Sequence, residues 1–591
     1  MKTMIPLFLL AALALPGEER PRPGYDLSAV YVPMNDGVRL AVDIALPKAR
    51  RAGERFPALL LQTRYWRGPR LSDLVPEPEL YDNELEFKNF FTARGYAVVM
   101  ADVRGTGASF GTQPHPWSPR EIEDGYGLVD WIARQPWSNE RVAGMGNSYL
   151  GTTAQLLAVT AHPALKAVVP EGMEWDVFDE IAFPGGVFNE WFVRTWSAAN
   201  QLADQNLVCD DPGEECALLQ ALVLGVRPVD ADQDLALLAQ AIQGHAANGD
   251  LYAAAQEVEA RDQRARTSGV AVDDYSVHTM RAAIARSGVP IFGWGSWRDG
   301  ATAQGVLRRF QTLDNPQRAV IGDWAHGGDS AALPRGQRWA AQADFLDAYL
   351  KQPAPGGAAA KRLDYWTLGE NRWKTTSTWP PEGVRRERWH FGDQHTLMPE
   401  EPREEGADVY AVDFAASSGP ENRWVTQATG AEVKYGDRAE EDRRLLTYES
   451  APLTEAVEIT GNPALELNLE STHADGAVHA YLEAVSPQGR VEYLTEGSLR
   501  LVHRKVAERA YPMAPVHSYR VADMSPFPTN QRETVRVELQ PISVRVPAGS
   551  RLRVALAGHD ASVFARYPAT GSPVWTLRRG GASFLELPVR R

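Results

Sequence analysis

The chain has no long apolar run. Outside residues 4–15 no segment approaches the roughly 20 apolar residues that a helix needs to cross a bilayer, so a membrane-spanning helix is excluded. Positive charge is also in deficit. With 61 Lys and Arg against 76 Asp and Glu, the formal charge is −15, and such a surface repels phosphate backbones and anionic lipid headgroups. Nucleic acid is therefore excluded as a partner. Cysteine is nearly absent. None lies near the N-terminus, which excludes attachment through a lipoprotein cysteine, and the two present, Cys209 and Cys216, enclose the acidic stretch Asp210-Asp211-Pro212-Gly213-Glu214-Glu215. In an exported protein this spacing predicts a disulfide closing a Pro-Gly turn; a reduced pair and an acidic calcium loop are the alternatives, and no metal site is inferred. Internal repeats and long low-complexity segments are missing as well.

What is present begins with Met1-Lys2-Thr3 ahead of the apolar residues 4–15, ending near the small residues Ala12 and Ala14. This predicts a signal peptide over 1–17 and a secreted or periplasmic protein, the alternative being a buried N-terminal strand. The remaining length is enough for two to four domains of roughly 100–200 residues. From Pro57 onward, continuous apolar runs such as Ala58-Leu59-Leu60-Leu61, Tyr96-Ala97-Val98-Val99-Met100 and Leu165-Lys166-Ala167-Val168-Val169 alternate with helix-period segments. That pattern predicts a parallel sheet covered on both faces, an α/β domain formed by 24–172 and 286–372. Residues 173–285 carry Ala-, Leu- and Gln-rich helical spacing, including 217–226 and 235–260, and predict a helical cap inserted between two strands. Beyond Trp373 short alternating strands take over, for example Ala464-Leu465-Glu466-Leu467-Asn468-Leu469 and Thr534-Val535-Arg536-Val537-Glu538-Leu539. Residues 373–591 are therefore expected to form a jelly-roll β-sandwich.

One turn carries chemistry. Between an apolar strand and a helical segment stands Gly146-Asn147-Ser148-Tyr149-Leu150-Gly151, with a further glycine at 144. A serine on such a turn has its Oγ exposed while N–H groups at the helix start face a developing oxyanion. The common pattern G-x-S-x-G places its last glycine at 150, where this chain has Leu, so the turn alone also fits a structural Gly-Ser bend. Chain order then narrows the partners, because in α/β-hydrolase folds the acid and the histidine follow the serine. Of 12 histidines, His326 alone lies between the last of these apolar runs, Arg318-Ala319-Val320-Ile321-Gly322, and the end of the α/β region, just past a strand's C-terminal end. The acid candidate is Asp299, also after a strand, with capping of the next helix as its structural alternative; Asp323 is the runner-up. The glycine-rich stretch 104–111 lacks the Lys-Ser/Thr of a phosphate loop and is read as structural, as is the segment 124–137.

Together these residues resemble the serine hydrolase family that includes bacterial cocaine esterase, the α-amino acid ester hydrolases and the Xaa-Pro dipeptidyl peptidases. The resemblance spans nearly the whole mature chain and rests on Thr63-Arg64-Tyr65, Asp102-Val103-Arg104-Gly105-Thr106-Gly107, Asp124-Gly125-Tyr126, Gly146 to Gly151 with its late glycine, Asp299-Gly300, Trp324-Ala325-His326 and Tyr448 to Leu453. It implies Ser148 as nucleophile, His326 as general base, Asp299 as the carboxylate that orients the imidazole, and an oxyanion hole made by the Tyr149 N–H and the Tyr65 hydroxyl. It implies no cofactor.

Family members acting on α-amino acid esters place carboxylates two and three residues after the triad acid. Here those positions are Ala301 and Thr302, so an amino-ester role is disfavoured. Glu174, Asp176, Asp179 and Glu180 remain as sources of negative charge near the site, or as a solvated face. Trp66, Trp175, Trp294 and Trp297 are candidates for an apolar pocket wall. The expected activity is hydrolysis of a small carboxylic ester through an acyl-enzyme; Xaa-Pro dipeptidyl peptidase or other amidase action is second, and a non-catalytic carbohydrate-binding protein third.

Overall fold

The computed structural model describes residues 22–77, 81–351, 361–403, 405–507 and 517–590. The predicted signal peptide lies outside the described residues. The first sheet contains β1 (Tyr25–Pro33), β2 (Arg39–Pro47), β3 (Phe56–Thr63), β4 (Ala97–Asp102), β5 (Ser138–Asn147), β6 (Leu165–Glu171), β7 (Ile291–Ser296), β8 (Gln317–Gly322), β9 (Arg362–Thr367) and β10 (Arg372–Thr376). Their order is β1-β2-β4-β3-β5-β6-β7-β8-β9-β10. Pairing is parallel from β4 through β9 and antiparallel where β1, β2 and β10 form the edges. Every residue of β3, β4 and β7 is buried, as apolar strands must be when helices cover both faces.

Those helices are α1 (Leu85–Thr92), α2 (Pro119–Ala133), α3 (Tyr149–Leu157), α5 (Thr302–Thr312) and α6 (Arg335–Leu350); α4 (Glu190–Asp204) lies between β6 and β7. Helix α2 starts on a Ser118 cap that accepts from the Glu121 N–H at 3.3 Å, with Pro119 in the first turn. This is an α/β-hydrolase topology, and it is followed by a β-sandwich.

The segment between β6 and β7 is helical in pieces, and the expected pattern breaks twice: the run 235–260 is divided into Ala236–His245 and Leu251–Ala255, and the run 217–226 changes to a strand. Helix Glu214–Leu222 stops short, and Val223–Val226 runs as a strand against Pro69–Leu71 instead of continuing the helix to 226. Gly225 explains the switch: it has φ 106, and a Cβ there would lie 2.2 Å from the Asn206 amide. Cys209 and Cys216 are joined by a disulfide across the Pro-Gly turn.

In the sandwich the two alternating runs singled out above pair with each other. Ala464–Ser471 and Glu533–Glu538 are antiparallel with Leu467 opposite Val535, and Leu465, Leu467, Leu469, Val535 and Val537 all point into the core. The sandwich also meets the segment between β6 and β7 directly. Trp191 N–H donates to Val563 O at 3.0 Å, Ala565 N–H to Phe188 O at 2.9 Å and Arg261 N–H to Tyr519 O at 2.9 Å. Gly185, with φ 64, sits so close to the sandwich that a Cβ there would be 1.7 Å from Ser498 O.

Candidate active site

Ser148 joins β5 to α3 in a conformation that non-glycine residues rarely adopt, φ 63 and ψ −129. Its N–H donates to Glu171 O on β6 at 3.0 Å, and its carbonyl accepts from Thr152 N–H at 3.0 Å, so the backbone is fixed on both sides. The side chain is half-buried. The late glycine of the turn has a steric reason: a Cβ on Gly151 would lie 2.3 Å from Glu171 O, whereas Leu150 occupies a position where a side chain fits. Tyr149 opens α3, and its N–H belongs to the first-turn groups with no partner inside the helix.

His326 and Asp299 come together from the ends of β8 and β7. His326 Nδ1 lies 2.9 Å from Asp299 Oδ2 and 3.0 Å from Oδ1, and both side chains are buried. A proton on Nδ1 directed at the carboxylate leaves Nε2 as the acceptor. Burial alone pulls the His326 pKa down, but the charge and hydrogen bond of Asp299, with Glu174 and Glu171 behind, hold it above the ordinary histidine value. Asp323, the runner-up, accepts from Ser330 Oγ instead.

Tyr65 follows β3, and its hydroxyl is hydrogen bonded to the Ser148 side chain and accepts from Trp196 Nε1 at 2.9 Å. Trp196 lies on α4, with the Arg64 guanidinium 5.6 Å from its ring centre, and sequence reasoning did not single it out. The Tyr149 hydroxyl points away, donating to Glu121 Oε1 at 2.6 Å and accepting from Gln113 Nε2 at 2.9 Å, with Trp117 stacked on its ring. Only its backbone is offered to the site.

Ser148, Tyr65, Tyr149 and His326 line one cavity of about 190 Å³. The opposite wall is aliphatic and aromatic, supplied mainly by the segment between β6 and β7: Val177, Ile181, Phe183, Phe192, Trp196 and Val272 among others. Of the four tryptophans expected there, Trp66 does line it. Trp175, Trp294 and Trp297 do not; each is packed in the core, Trp294 against Phe292 and Trp324, Trp297 against Trp379. Trp117 and Trp196 take their place.

The four acidic candidates also divide. Asp176 pairs with Arg261, while Asp179 and Glu180 share Arg308 at 2.8 and 3.1 Å, which commits all three to buried ion pairs. Glu174 alone lines the cavity. Burial pushes its carboxyl up to about 7, with His326 drawing it down and Asp299 raising it, and its Oε1 accepts from Gln427 Nε2 at 2.7 Å. Gln427 belongs to α7 (Arg423–Thr429), contributed by the region after the first sheet. The glycine-rich stretch stays away from the chemistry: Arg104 is bound to Asp124 and Asp36, and Asp102 accepts the Arg67 and Ala108 N–H groups. Among the described residues no group of three or more His, Cys, Asp or Glu side chains is arranged to hold a metal ion.

Comparison with known proteins places the chain in a family. Residues 36–328 match the model of the X-Pro dipeptidyl-peptidase (S15 family), and 356–577 match the X-Pro dipeptidyl-peptidase C-terminal non-catalytic domain. A Mycobacterium bovis protein named "Putative serine esterase" is 37% identical over 606 residues, covering 96% of each chain. Cocaine esterase of a Rhodococcus species is 26% identical over 515 residues, covering 81% of this chain and 83% of that protein. Among solved structures, an aminopeptidase from a marine-sediment Thaumarchaeota archaeon superposes with a TM-score of 0.72 at 20% identity, covering 98% and 99% of the two chains. With a relative at this identity along nearly its full length, the chain belongs to the S15 family and is a serine hydrolase.

Proposed function

We propose that this enzyme hydrolyses small carboxylic esters with an apolar acyl or alcohol group, by way of an acyl-enzyme on Ser148. One observation carries the reading: a serine held at positive φ on a strand-to-helix turn opens into an apolar cavity that the Asp299-paired His326 also lines. Ser148 Oγ attacks the ester carbonyl as His326 Nε2 takes its proton; Asp299 keeps Nδ1 protonated and stabilises the imidazolium. The oxyanion is received by the Tyr149 N–H and the Tyr65 hydroxyl. Trp196 donates to that hydroxyl oxygen, so the phenol proton is directed away from the indole, on the side where Ser148 and the substrate oxygen lie. The imidazolium then protonates the departing alcohol, and a water molecule, deprotonated by the same histidine, releases the acid.

A second reading, cleavage of Xaa-Pro amides, is favoured by Glu174, a carboxylate on the cavity wall suited to a substrate ammonium. Export from the cytoplasm is supported by the Cys209–Cys216 disulfide together with the apolar N-terminal run. The test is covalent labelling with a fluorophosphonate followed by peptide mapping, then turnover of aryl esters, amino-acid esters and Xaa-Pro amides. Modification at Ser148 and faster ester turnover are expected. An unlabelled Ser148 in folded protein would falsify the mechanism, and faster turnover of the amides would reverse the substrate order.

A further inference from the structure

Asp299 sits on a tight turn after β7 that is restrained both by its own neighbours and by α7, beyond the first sheet. On the sheet side, Trp297 N–H donates to Gly322 O at 2.9 Å, and Thr302 N–H closes back on Asp299 O at 3.0 Å. Arg298 N–H donates to Ser296 Oγ at 3.1 Å, Thr302 Oγ1 donates to Asp299 O at 3.0 Å and reaches Asp299 Oδ2 at 3.4 Å, and two further carbonyls are taken by Arg423. Its Nη2 donates to Trp297 O at 2.9 Å and its Nε to Gly300 O at 2.6 Å, so one guanidinium grips the carbonyls on either side of Asp299. Gly300 N–H in turn donates to the Arg423 carbonyl at 3.3 Å. Gly300 has φ 44, and a Cβ there would lie 2.2 Å from Gln427 Oε1, one helical turn along α7 from Arg423.

Arg423 is itself held from the sandwich. Nη1 donates to the Tyr493 hydroxyl at 3.1 Å; Tyr493 stacks on Tyr435 at 3.6 Å, and the Tyr435 hydroxyl donates to Glu496 at 3.0 Å. Arg423 is 1% exposed, and among the described residues its side-chain hydrogen bonds go to carbonyls and a hydroxyl, none to a carboxylate. Its donors are spent on two carbonyls and one hydroxyl, an expensive use of a buried cation if the only return were adhesion between two domains. A planar fork is needed for this grip, because an ammonium in the same place reaches one carbonyl rather than two.

We infer that Arg423 is a positioning residue for hydrolysis: by clamping the Trp297 and Gly300 carbonyls it fixes the direction in which Asp299 presents its carboxylate to His326. The region that matches a non-catalytic domain thereby sets the orientation of the imidazole. This rests on the Ser148, His326 and Asp299 roles proposed above. A displacement of about 1 Å in such a constellation costs roughly a hundredfold in rate, which sets the size of the effect to look for.

The test uses full-length wild type, Arg423→Lys, Arg423→Met and Tyr493→Phe, each checked for folding by far-UV circular dichroism and thermal melting. Steady-state turnover of a short aryl ester is measured across the acid limb of the pH profile. Arg423→Met is expected to lose roughly a hundredfold in kcat with KM changed less than about threefold. Its acid limb should move to lower pH, because a misdirected Asp299 supports the imidazolium less. Arg423→Lys should recover part of the loss, and Tyr493→Phe, which deletes one hydroxyl at the far end of the clamp, should show the same two shifts at a few-fold scale. If Arg423→Met does not fold, the Lys and Phe variants carry the test alone. Folded variants with wild-type kcat and an unmoved acid limb overturn the inference, even if they melt earlier, since that is the behaviour of simple domain adhesion. Failure of the underlying roles looks different: wild type would then escape fluorophosphonate labelling at Ser148.

Discussion

The two sides of the cavity are built in contrasting ways. On one side Ser148, Asp299 and His326 each follow a strand of a single buried sheet, so strand register brings their turns together, and the turn bearing Asp299 is held in addition from α7. On the other side Trp196, Glu174 and Gln427 come from α4, from the turn after β6 and from α7, and they meet only because separate segments pack together. The first arrangement suits chemistry, which tolerates little displacement. The second suits selection, since a wall made of independent pieces changes its lining without disturbing the sheet.

This contrast predicts a graded series of losses. Substitutions on the sheet side should be the most damaging: Ser148→Ala and His326→Ala are each expected to lower kcat by about four orders of magnitude or more while leaving the melting temperature near that of wild type. Full activity in His326→Ala would sink the proposed base. Next comes the hydroxyl that reaches across from β3. Tyr65→Phe should lose on the order of a hundredfold in kcat with KM little altered, the usual cost of deleting one oxyanion donor. Its support on the far wall should matter less. Trp196→Phe removes the 2.9 Å hydrogen bond to that hydroxyl and is expected to cost roughly tenfold or less; a loss as large as that of Tyr65→Phe would mean the wall takes a direct part in the chemistry.

The smallest effect, and the one most diagnostic of the wall, concerns Glu174. Its ionised form helps hold the His326 pKa up, so Glu174→Gln should move the acid limb of kcat/KM to lower pH. A stability signature accompanies it. The folded pKa of Glu174 is raised to about 7 from 4.5, so the folded protein retains a proton that the unfolded chain releases within that window. Stability contributed by this group is complete below the lower value and declines as pH rises toward the upper one. Glu174→Gln should therefore stabilise the protein more at pH 8 than at pH 5, read as a difference in melting temperature. Equal shifts at both pH values would show that the carboxylate is ionised throughout.

What the sequence revealed divides along the same line. The parallel sheet follows from runs such as Ala58 to Leu61, and the sandwich from the alternation of Leu465, Leu467 and Leu469, because each pattern is local and has one good packing solution. Ser148 was legible as a strand-turn-helix junction, and His326 by chain order, which needs no knowledge of packing. Trp196 and Gln427 were not legible. Nothing in their neighbourhoods differs from an ordinary amphipathic helix, and Gln427 meets Glu174 across 253 residues of chain. The tryptophan choices failed for the same reason: nearness in sequence to a site says little about which way a ring packs, so Trp175, Trp294 and Trp297 went to the core. The run 217–226 misled because helical spacing continues past Leu222 while Gly225 permits the chain to turn into a strand.

Gly185 carries one last consequence. Its backbone lies against Ser498 with no room for a single methyl group, and neighbouring peptides are hydrogen bonded across the same seam. A wall bolted to the sandwich in this manner is not a flap. The seam with the sandwich thus fixes where that wall stands, while the side chains that line it decide what it touches.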